Sequence, residues 1–281
     1  MKIRFIFTFV PPVLNWRDLM YNGKMQNKAG QNSKNPLVSV VIPAFNEEKF
    51  VGRAIQSLLE QDFNNFEIIV VDNNSTDRTS EVARSLGAKV FFEPKQGVGH
   101  ARQRGFSEAR GLIIATTDAD TIVPKDWLST IVKAFERDER LVGFGGLCSL
   151  YSGPLLARLL ARHSLYPFLL MDRLFSGGWN LMGSNSAIKK EAFLKVGGFN
   201  EELTMNEDVE ISHRLRKVGR VSIDSKFWVK ASGRRYSQGL ISGLMCYIPT
   251  TLMRFFFRKY NTFMRLSPIR TETLPKKESE R

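Results

Sequence analysis

The feature that most restricts the fold is a series of four short apolar runs separated by helical patterns. They are Val38-Ser39-Val40-Val41-Ile42, Glu67-Ile68-Ile69-Val70-Val71, Lys89-Val90-Phe91-Phe92 and Ile113-Ile114-Ala115-Thr116-Thr117. Runs of this length, rich in β-branched residues, read as strands covered on both faces. Pro43 breaks the first, and Phe50, Val51, Ala54, Ile55, Leu58 and Leu59 then recur on one helical face. Asn73-Asn74-Ser75-Thr76-Asp77 carries turn and N-cap chemistry into a short helix that Gly87 stops. Strands and helices alternating at this interval predict right-handed crossovers and an α/β fold, a mostly parallel central sheet with helices on both faces. Ligands bind such sheets beyond the carboxyl ends of the strands. Residues 43–47, 72–77, 95–99 and 118–120 all fall on that rim.

The fourth run closes on Asp118-Ala119-Asp120, two carboxylates where a buried strand should end. Mg²⁺ and Mn²⁺ prefer carboxylate and phosphate oxygens and commonly take one or two protein carboxylates plus substrate phosphates. Such a pair can hold either ion against a diphosphate. Taken alone, the spacing also describes a solvated turn or a helix cap. Further on, Lys95-Gln96-Gly97-Val98-Gly99 sets backbone N–H groups and a cation ahead of a helix N-terminus, which suits phosphate.

Five stretches in order resemble the motifs of the family 2 glycosyltransferases of the GT-A fold. They are Val38 to Glu48, Val70 to Asp77, Gly97 to Gly105, Asp118-Ala119-Asp120, and Gly198-Phe199 followed by Glu207-Asp208, and the likeness covers roughly residues 36 to 235. The family usually has Asn where Gln103 stands and often an acid where Leu112 stands. The resemblance implies a nucleoside-diphosphate-sugar donor and inversion at the anomeric carbon. It assigns Pro43, Ala44, Asn46 and Glu47 to the base and ribose, and Asp72 to a ring N–H of the base. Arg102 resembles the family's Arg in its helix, Asp120 becomes the direct metal ligand, and Asp118 lies on the ribose or behind the ion. Read without the family, Asn46 is a helix N-cap, Asp72 a turn former and Arg102 a solvated charge. Gly183-Ser184-Asn185-Ser186 resembles the acceptor-side strand. Arg234-Arg235, after the strand-like Phe227-Trp228-Val229, suits a clamp on the leaving diphosphate and reads equally as surface charge.

Transfer to an alcohol needs a base for the acceptor's proton. Asn206-Glu207-Asp208 opens a helix, where acids complement the helix dipole. Asp208, Ile211, Leu215 and Val218 share one face, whereas Glu207, Glu210, Arg214 and Lys217 share a charged one. Periodicity therefore points Asp208 inward as the base and Glu207 outward. His100, His163 and His213 carry no ligand spacing.

The chain has 281 residues and a formal net charge of +13, unevenly placed. Residues 1–35 hold six Lys/Arg against one acid, and residues 254–281 hold eight against three. That distribution argues against a nucleic-acid stripe across the fold and fits attraction to an anionic membrane surface. The apolar segment 154–171 has a longest charge-free run, His163 to Met171, far short of the ~20 residues of a membrane span, so it is expected to lie on a bilayer. Tyr236 to Met253, followed by Arg254-Phe255-Phe256-Phe257-Arg258-Lys259, reads as a C-terminal amphipathic, interfacial helix with a basic anchor. Pro11-Pro12 interrupts the apolar N-terminus without a small-residue cleavage site, against a signal peptide. Only Cys148 and Cys246 are present, as fits a reducing compartment.

These readings predict a flexible lead-in over 1–35, a GT-A domain over 36–235 and a membrane-interfacial segment over 236–281. The expected protein is a metal-dependent inverting glycosyltransferase, peripheral on the cytoplasmic face of the cell membrane, with a polyprenyl-phosphate or lipid-linked glycan as acceptor. A sugar-nucleotide-forming nucleotidyltransferase would need a Gly-rich basic signature after the first strand, where Pro43-Ala44-Phe45-Asn46-Glu47 stands. A non-catalytic membrane-docking module of the same fold would have no use for Asp118, Asp120 and Asp208.

Overall fold

A computed structural model describes residues 36–236 apart from Thr204. The expected lead-in and the C-terminal segment beyond Tyr236 lie outside the described residues. In chain order the elements are β1 (Val38–Ala44), α1 (Val51–Leu59), β2 (Phe66–Asp72), α2 (Thr79–Ser85), β3 (Lys89–Phe92), α3 (Val98–Glu108), β4 (Ile113–Thr116) and β5 (Thr121–Ile122). They continue with α4 (Trp127–Arg137), β6 (Leu141–Leu150), α5 (Leu155–Ser176), β7 (Ser186–Lys189), α6 (Lys190–Lys195), α7 (Glu207–Leu215), β8 (Arg220–Ala231) and a 3₁₀ turn at Arg234–Tyr236.

One eight-stranded sheet runs β3-β2-β1-β4-β7-β6-β8-β5. The first four strands are mutually parallel, as the four apolar runs predict. β7 is antiparallel to both β4 and β6, β8 returns parallel to β6, and β5 closes the edge antiparallel to β8. Alternation along β1 explains the layers. Val38, Val40, Ile42 and Ala44 face a core with Ile55 and Leu58 of α1 and Trp127, Ile131 and Phe135 of α4. Val41 faces the opposite core, with Phe106 of α3, Phe193 of α6 and Ile211 and Leu215 of α7. Burying each such side chain contributes about 1.5–3 kcal/mol, so the strands are held from both sides.

The Asp118–Asp120 bend lies between β4 and β5 and is tied down by its backbone. Thr117 N–H donates to Val41 O at 3.3 Å, Thr121 N–H to Asp118 O at 3.1 Å, and Ser232 N–H to Asp120 O at 3.2 Å. The last bond brings the end of β8, and with it Arg234, over the bend. β6 crosses close under β8. Gly146 has no room for a Cβ there, because the carbonyl of Phe227 occupies the space.

At the far end of the sheet, Glu67 has a fully buried side chain. Its carboxylate accepts from Ser39 Oγ at 2.7 Å, Lys89 Nζ at 2.7 Å, Arg110 N–H at 3.0 Å and Arg110 Nη2 at 2.9 Å. Burial alone would raise this carboxyl, but Lys89, Ser39 and Arg110 together hold it below its ordinary value of 4.5. A depressed folded-state value makes the stabilisation complete above the unfolded value and lost as pH falls through the folded one. Glu67→Ala should therefore cost about 3 kcal/mol in chemical denaturation at neutral pH. The gap between wild type and variant should narrow as pH falls from about 4.5 through the depressed folded-state value.

Candidate active site

The strand-end loops are laced to one another. Asn46 sits in the left-handed region with φ 56, and α1 begins only at Val51 behind Phe50. Asn46 thus does not cap the helix; a tight turn consumes the next four residues. Its side chain instead joins the second loop, with Nδ2 donating to Thr76 Oγ1 at 3.1 Å and Oδ1 accepting from Thr76 N–H at 2.8 Å. Glu47 N–H donates to Thr79 Oγ1 at 2.7 Å. Asp72 closes its own turn, accepting from Ser75 N–H at 2.9 Å and from the Ser80 hydroxyl. Asn73, which sequence reasoning passed over as turn chemistry, joins three segments. Its N–H donates to Ala44 O at 2.8 Å, its Nδ2 to Lys95 O at 2.6 Å, and its Oδ1 accepts from Gly97 N–H at 2.8 Å. Pro43 is half-buried and Ala44 buried beneath these loops, while Lys95 is exposed at their lip.

Three carboxylates crowd the other side of the rim. Arg234 bonds Glu47 with both nitrogens, Nη1 to Oε2 at 2.8 Å and Nη2 to Oε1, and approaches Asp120 Oδ2 at 3.2 Å. Its guanidinium lies over the Phe50 ring, 4.7 Å from the centroid. Burial pushes the Asp120 carboxyl up to about 7, with Arg234 opposing and Asp118 and Glu47 adding to the rise. Burial likewise raises Glu47 above its ordinary value, against the pull of Arg234. Arg235, the other half of the expected diphosphate clamp, points out and is exposed.

Behind Asp118 lies a buried ion triad. Arg102 of α3 has a side chain only 5% exposed, so it is neither a solvated charge nor a group at the lip. Nη2 donates to Asp118 Oδ1 at 2.9 Å and Nη1 to Glu207 Oε1. The expectation that Glu207 points outward is wrong: its side chain is also only 5% exposed. The helical-face argument fails because Glu207 and Asp208 occupy the first turn of α7, whose open end abuts the site rather than solvent. Asn206, left-handed at φ 59, turns the chain so that the whole first turn meets α3. Burial raises the Glu207 carboxyl above its ordinary value, Arg102 opposing. Asp208 is half-buried beside it, accepting from Gly183 N–H at 2.9 Å and Val209 N–H at 2.8 Å. Gly183 packs flat on Arg102, and a Cβ there would collide with the guanidinium. It precedes β7, which begins at Ser186. Gln103, where the resemblance leads one to expect Asn, accepts from Phe199 N–H at 2.8 Å and so fastens α3 to the turn ahead of α7.

The rim suits a hard divalent cation. Glu47, Asp118 and Asp120 are oxygen donors, and a cation beside them would offset their mutual repulsion. Among the described residues, no three His, Cys, Asp or Glu side chains gather closely enough to hold an ion unaided. Coordination would rest on one or two carboxylates and on ligand oxygens.

The chain is 28% identical over 217 residues to an uncharacterized glycosyltransferase of Rickettsia typhi, covering 72% of this chain and 65% of that protein. It is 28% identical over 195 residues to the beta-monoglucosyldiacylglycerol synthase of a Nostoc species, covering 64% of this chain and 41% of that one. The chain thus spans less than two-thirds of the length of either relative. The fold matches that of a mannosyltransferase from Pyrobaculum calidifontis, solved with GDP-Man and Mn²⁺, with a TM-score of 0.56 at 20% identity over 82% of this chain and 71% of that one. The model for glycosyl transferase family 2 matches residues 39–197, more than half of the sequence, and the chain belongs to that family.

Proposed function

We propose that the protein transfers a sugar from a nucleoside-diphosphate sugar to an acceptor hydroxyl or phosphate, with inversion at the anomeric carbon. One observation carries this reading. Asp208 is a half-buried carboxylate that accepts from the backbone N–H groups of Gly183 and Val209 and, among the described residues, forms no salt bridge, near the Arg102 that pairs with Asp118. Charge-paired carboxylates make poor proton acceptors. Asp208 is held in place with lone pairs to spare, as a general base requires. For an alcohol acceptor, Asp208 takes the hydroxyl proton as the oxygen forms its bond to the anomeric carbon. The bond from that carbon to the diphosphate breaks, and the nucleoside diphosphate leaves with the electron pair from the opposite face.

The stitched loops around Pro43, Ala44, Asn46 and Asp72 form the donor's base and ribose side, with Lys95 at the lip near the phosphates. A Mg²⁺ or Mn²⁺ ion at Asp120, with Asp118 beside it, would offset the charge of the diphosphate as it departs. Arg234 pairs with both Glu47 and Asp120, and an ion taking over part of that task would free its fork toward phosphate, with Arg235 adjacent. Arg102 acts through Asp118 and is a positioning residue. The Pyrobaculum structure's GDP-Man and Mn²⁺ support the donor class and the ion, the Nostoc relative's name supports a lipid acceptor, and the acceptor proposed here is a polyprenyl phosphate or lipid-linked glycan. Peripheral attachment to the cytoplasmic face of the cell membrane fits the basic flanks. Among the described residues, no helix is long and apolar enough to cross a membrane.

A panel of nucleotide sugars with Mn²⁺, read by diphosphate release, tests the proposal, and no release from any donor would refute it. Asp120→Ala should lose turnover and nucleotide affinity together, and full activity of this variant in excess EDTA would remove the ion from the scheme. In Asp208→Asn, turnover should fall by about 10²-fold or more while nucleotide affinity holds, since a positioned general base contributes 10² to 10⁴. Glu207→Gln leaves Arg102 half-compensated next to Asp118, so here nucleotide affinity should fall as well as turnover, each by roughly tenfold. Titration calorimetry with a nucleoside diphosphate and Mn²⁺ separates the two variants.

A further inference from the structure

α5 is amphipathic in a way that its packing against the sheet does not use. Its buried residues are Ala157, Leu169 and Asp172. Leu156, Leu159, Leu160, Leu170, Met171 and Leu174 are exposed by 56%, 46%, 39%, 38%, 45% and 83%. At about 100° per residue these six fall within about 60° of a single line along the helix, which is about 33 Å long. Isolated surface leucines need no explanation, but an aligned strip of this length does.

Charge selects the occupant. Arg162 and Arg173 are exposed along one flank of the strip and Arg158 on the helix face away from it, while the one acid of the helix, Asp172, is buried and accepts from Asn180 Nδ2 at 2.8 Å. Arg162 lies over the Trp228 ring at 5.6 Å and Arg173 over the Trp179 ring at 4.7 Å, which holds both cations to that edge. A second copy would present the same arginines, residues 1–35 and 254–281 of this chain are themselves basic, and residues 237–253 carry no acid to answer the arginines. The complement to an apolar strip edged only with cations is an apolar layer with an anionic border.

Both ends of the helix are fastened to the site. At its start, Gly233 N–H donates to Ser152 Oγ at 3.0 Å, one residue before Arg234. Past its end, Leu181 N–H donates to Ser212 Oγ at 2.9 Å in α7, and Gly183 N–H reaches Asp208.

We infer that α5 docks on an anionic lipid bilayer, leucines in the acyl boundary and arginines among the headgroups, and thereby holds the Asp208 side of the rim at the level of a lipid-borne acceptor. The final clause rests on the glycosyl-transfer reading; the docking does not.

The test is sedimentation of the full chain with phosphatidylglycerol/phosphatidylcholine vesicles and with pure phosphatidylcholine vesicles. Wild type should pellet with the anionic vesicles and at least about tenfold more weakly with the neutral ones. The triple variant Leu156→Gln, Leu160→Gln, Leu174→Gln should lose about a hundredfold or more in vesicle affinity. Its circular dichroism and its lipid-free diphosphate release should match wild type. Unchanged pelleting of that variant, equal binding to both vesicle types, or no binding by wild type would each overturn the docking, the first by moving the anchor to residues 237–281. So would a wild-type dimer that the triple variant dissolves without any vesicle binding, since a second copy would then cover the strip. If vesicle binding behaves as expected but no nucleotide sugar is ever consumed, the docking stands and the glycosyl-transfer reading falls.

Discussion

The Arg102 guanidinium is the contact on which the rest of the site depends. It comes from α3, is almost wholly removed from water, and is answered by Asp118 at the end of β4 and Glu207 at the start of α7. Removing either partner would leave this buried cation only half-compensated. The two carboxylates are therefore fixed relative to each other although 89 positions separate them in sequence. Gly183 closes the arrangement from above, because only a residue without a side chain can lie on the guanidinium while its N–H reaches Asp208. The Asp118 bend, the Gly183 loop and the head of α7 thus share one electrostatic fastening, and a shift in any one is transmitted to the others.

Much of this architecture was legible in the sequence, for reasons that can be named. The four parallel strands are continuous apolar runs because helices cover both their faces, and each ends in polar residues because the rim is wet. β6 and β8 carry no such signature. β6 contains Gly143, Gly145 and Gly146, where the chains pass too closely for side chains, and its partner residues on β8 lie roughly 80 positions away. Short-range periodicity holds no record of such a pairing. Glu207 was misread for a different reason. A helical wheel assumes that inside and outside are set across the axis, whereas in the first turn of α7 the buried environment lies beyond the helix end. The one available signal was Arg102 itself, a cation within an otherwise small and apolar helix face that needed acids from elsewhere. The long helix was read as far as Met171 but runs to Ser176, ending where Gly177 adopts φ 72 and Gly178 N–H returns to Arg173 O at 3.0 Å.

Charge is distributed in two tiers that answer to different surroundings. Inside the rim, Glu47, Asp118, Asp120 and Glu207 share the guanidiniums of Arg102 and Arg234, and desolvation on burial, with neighbouring carboxylates adding, raises Asp120 and Glu207 against the pull of those cations. Four carboxylates would repel a bare diphosphate, and on the proposed reading a cation arriving with the ligand would offset that repulsion. Outside, along α5, the imbalance is reversed, with arginines held on tryptophan faces and the lone acid turned inward. On the readings proposed above, a lipid phosphate drawn to the outer tier would meet repulsion at the carboxylates. Asp208, half-buried and held by the backbone N–H groups of Gly183 and Val209, would then be the carboxylate with lone pairs to spare for a hydroxyl delivered from the membrane side.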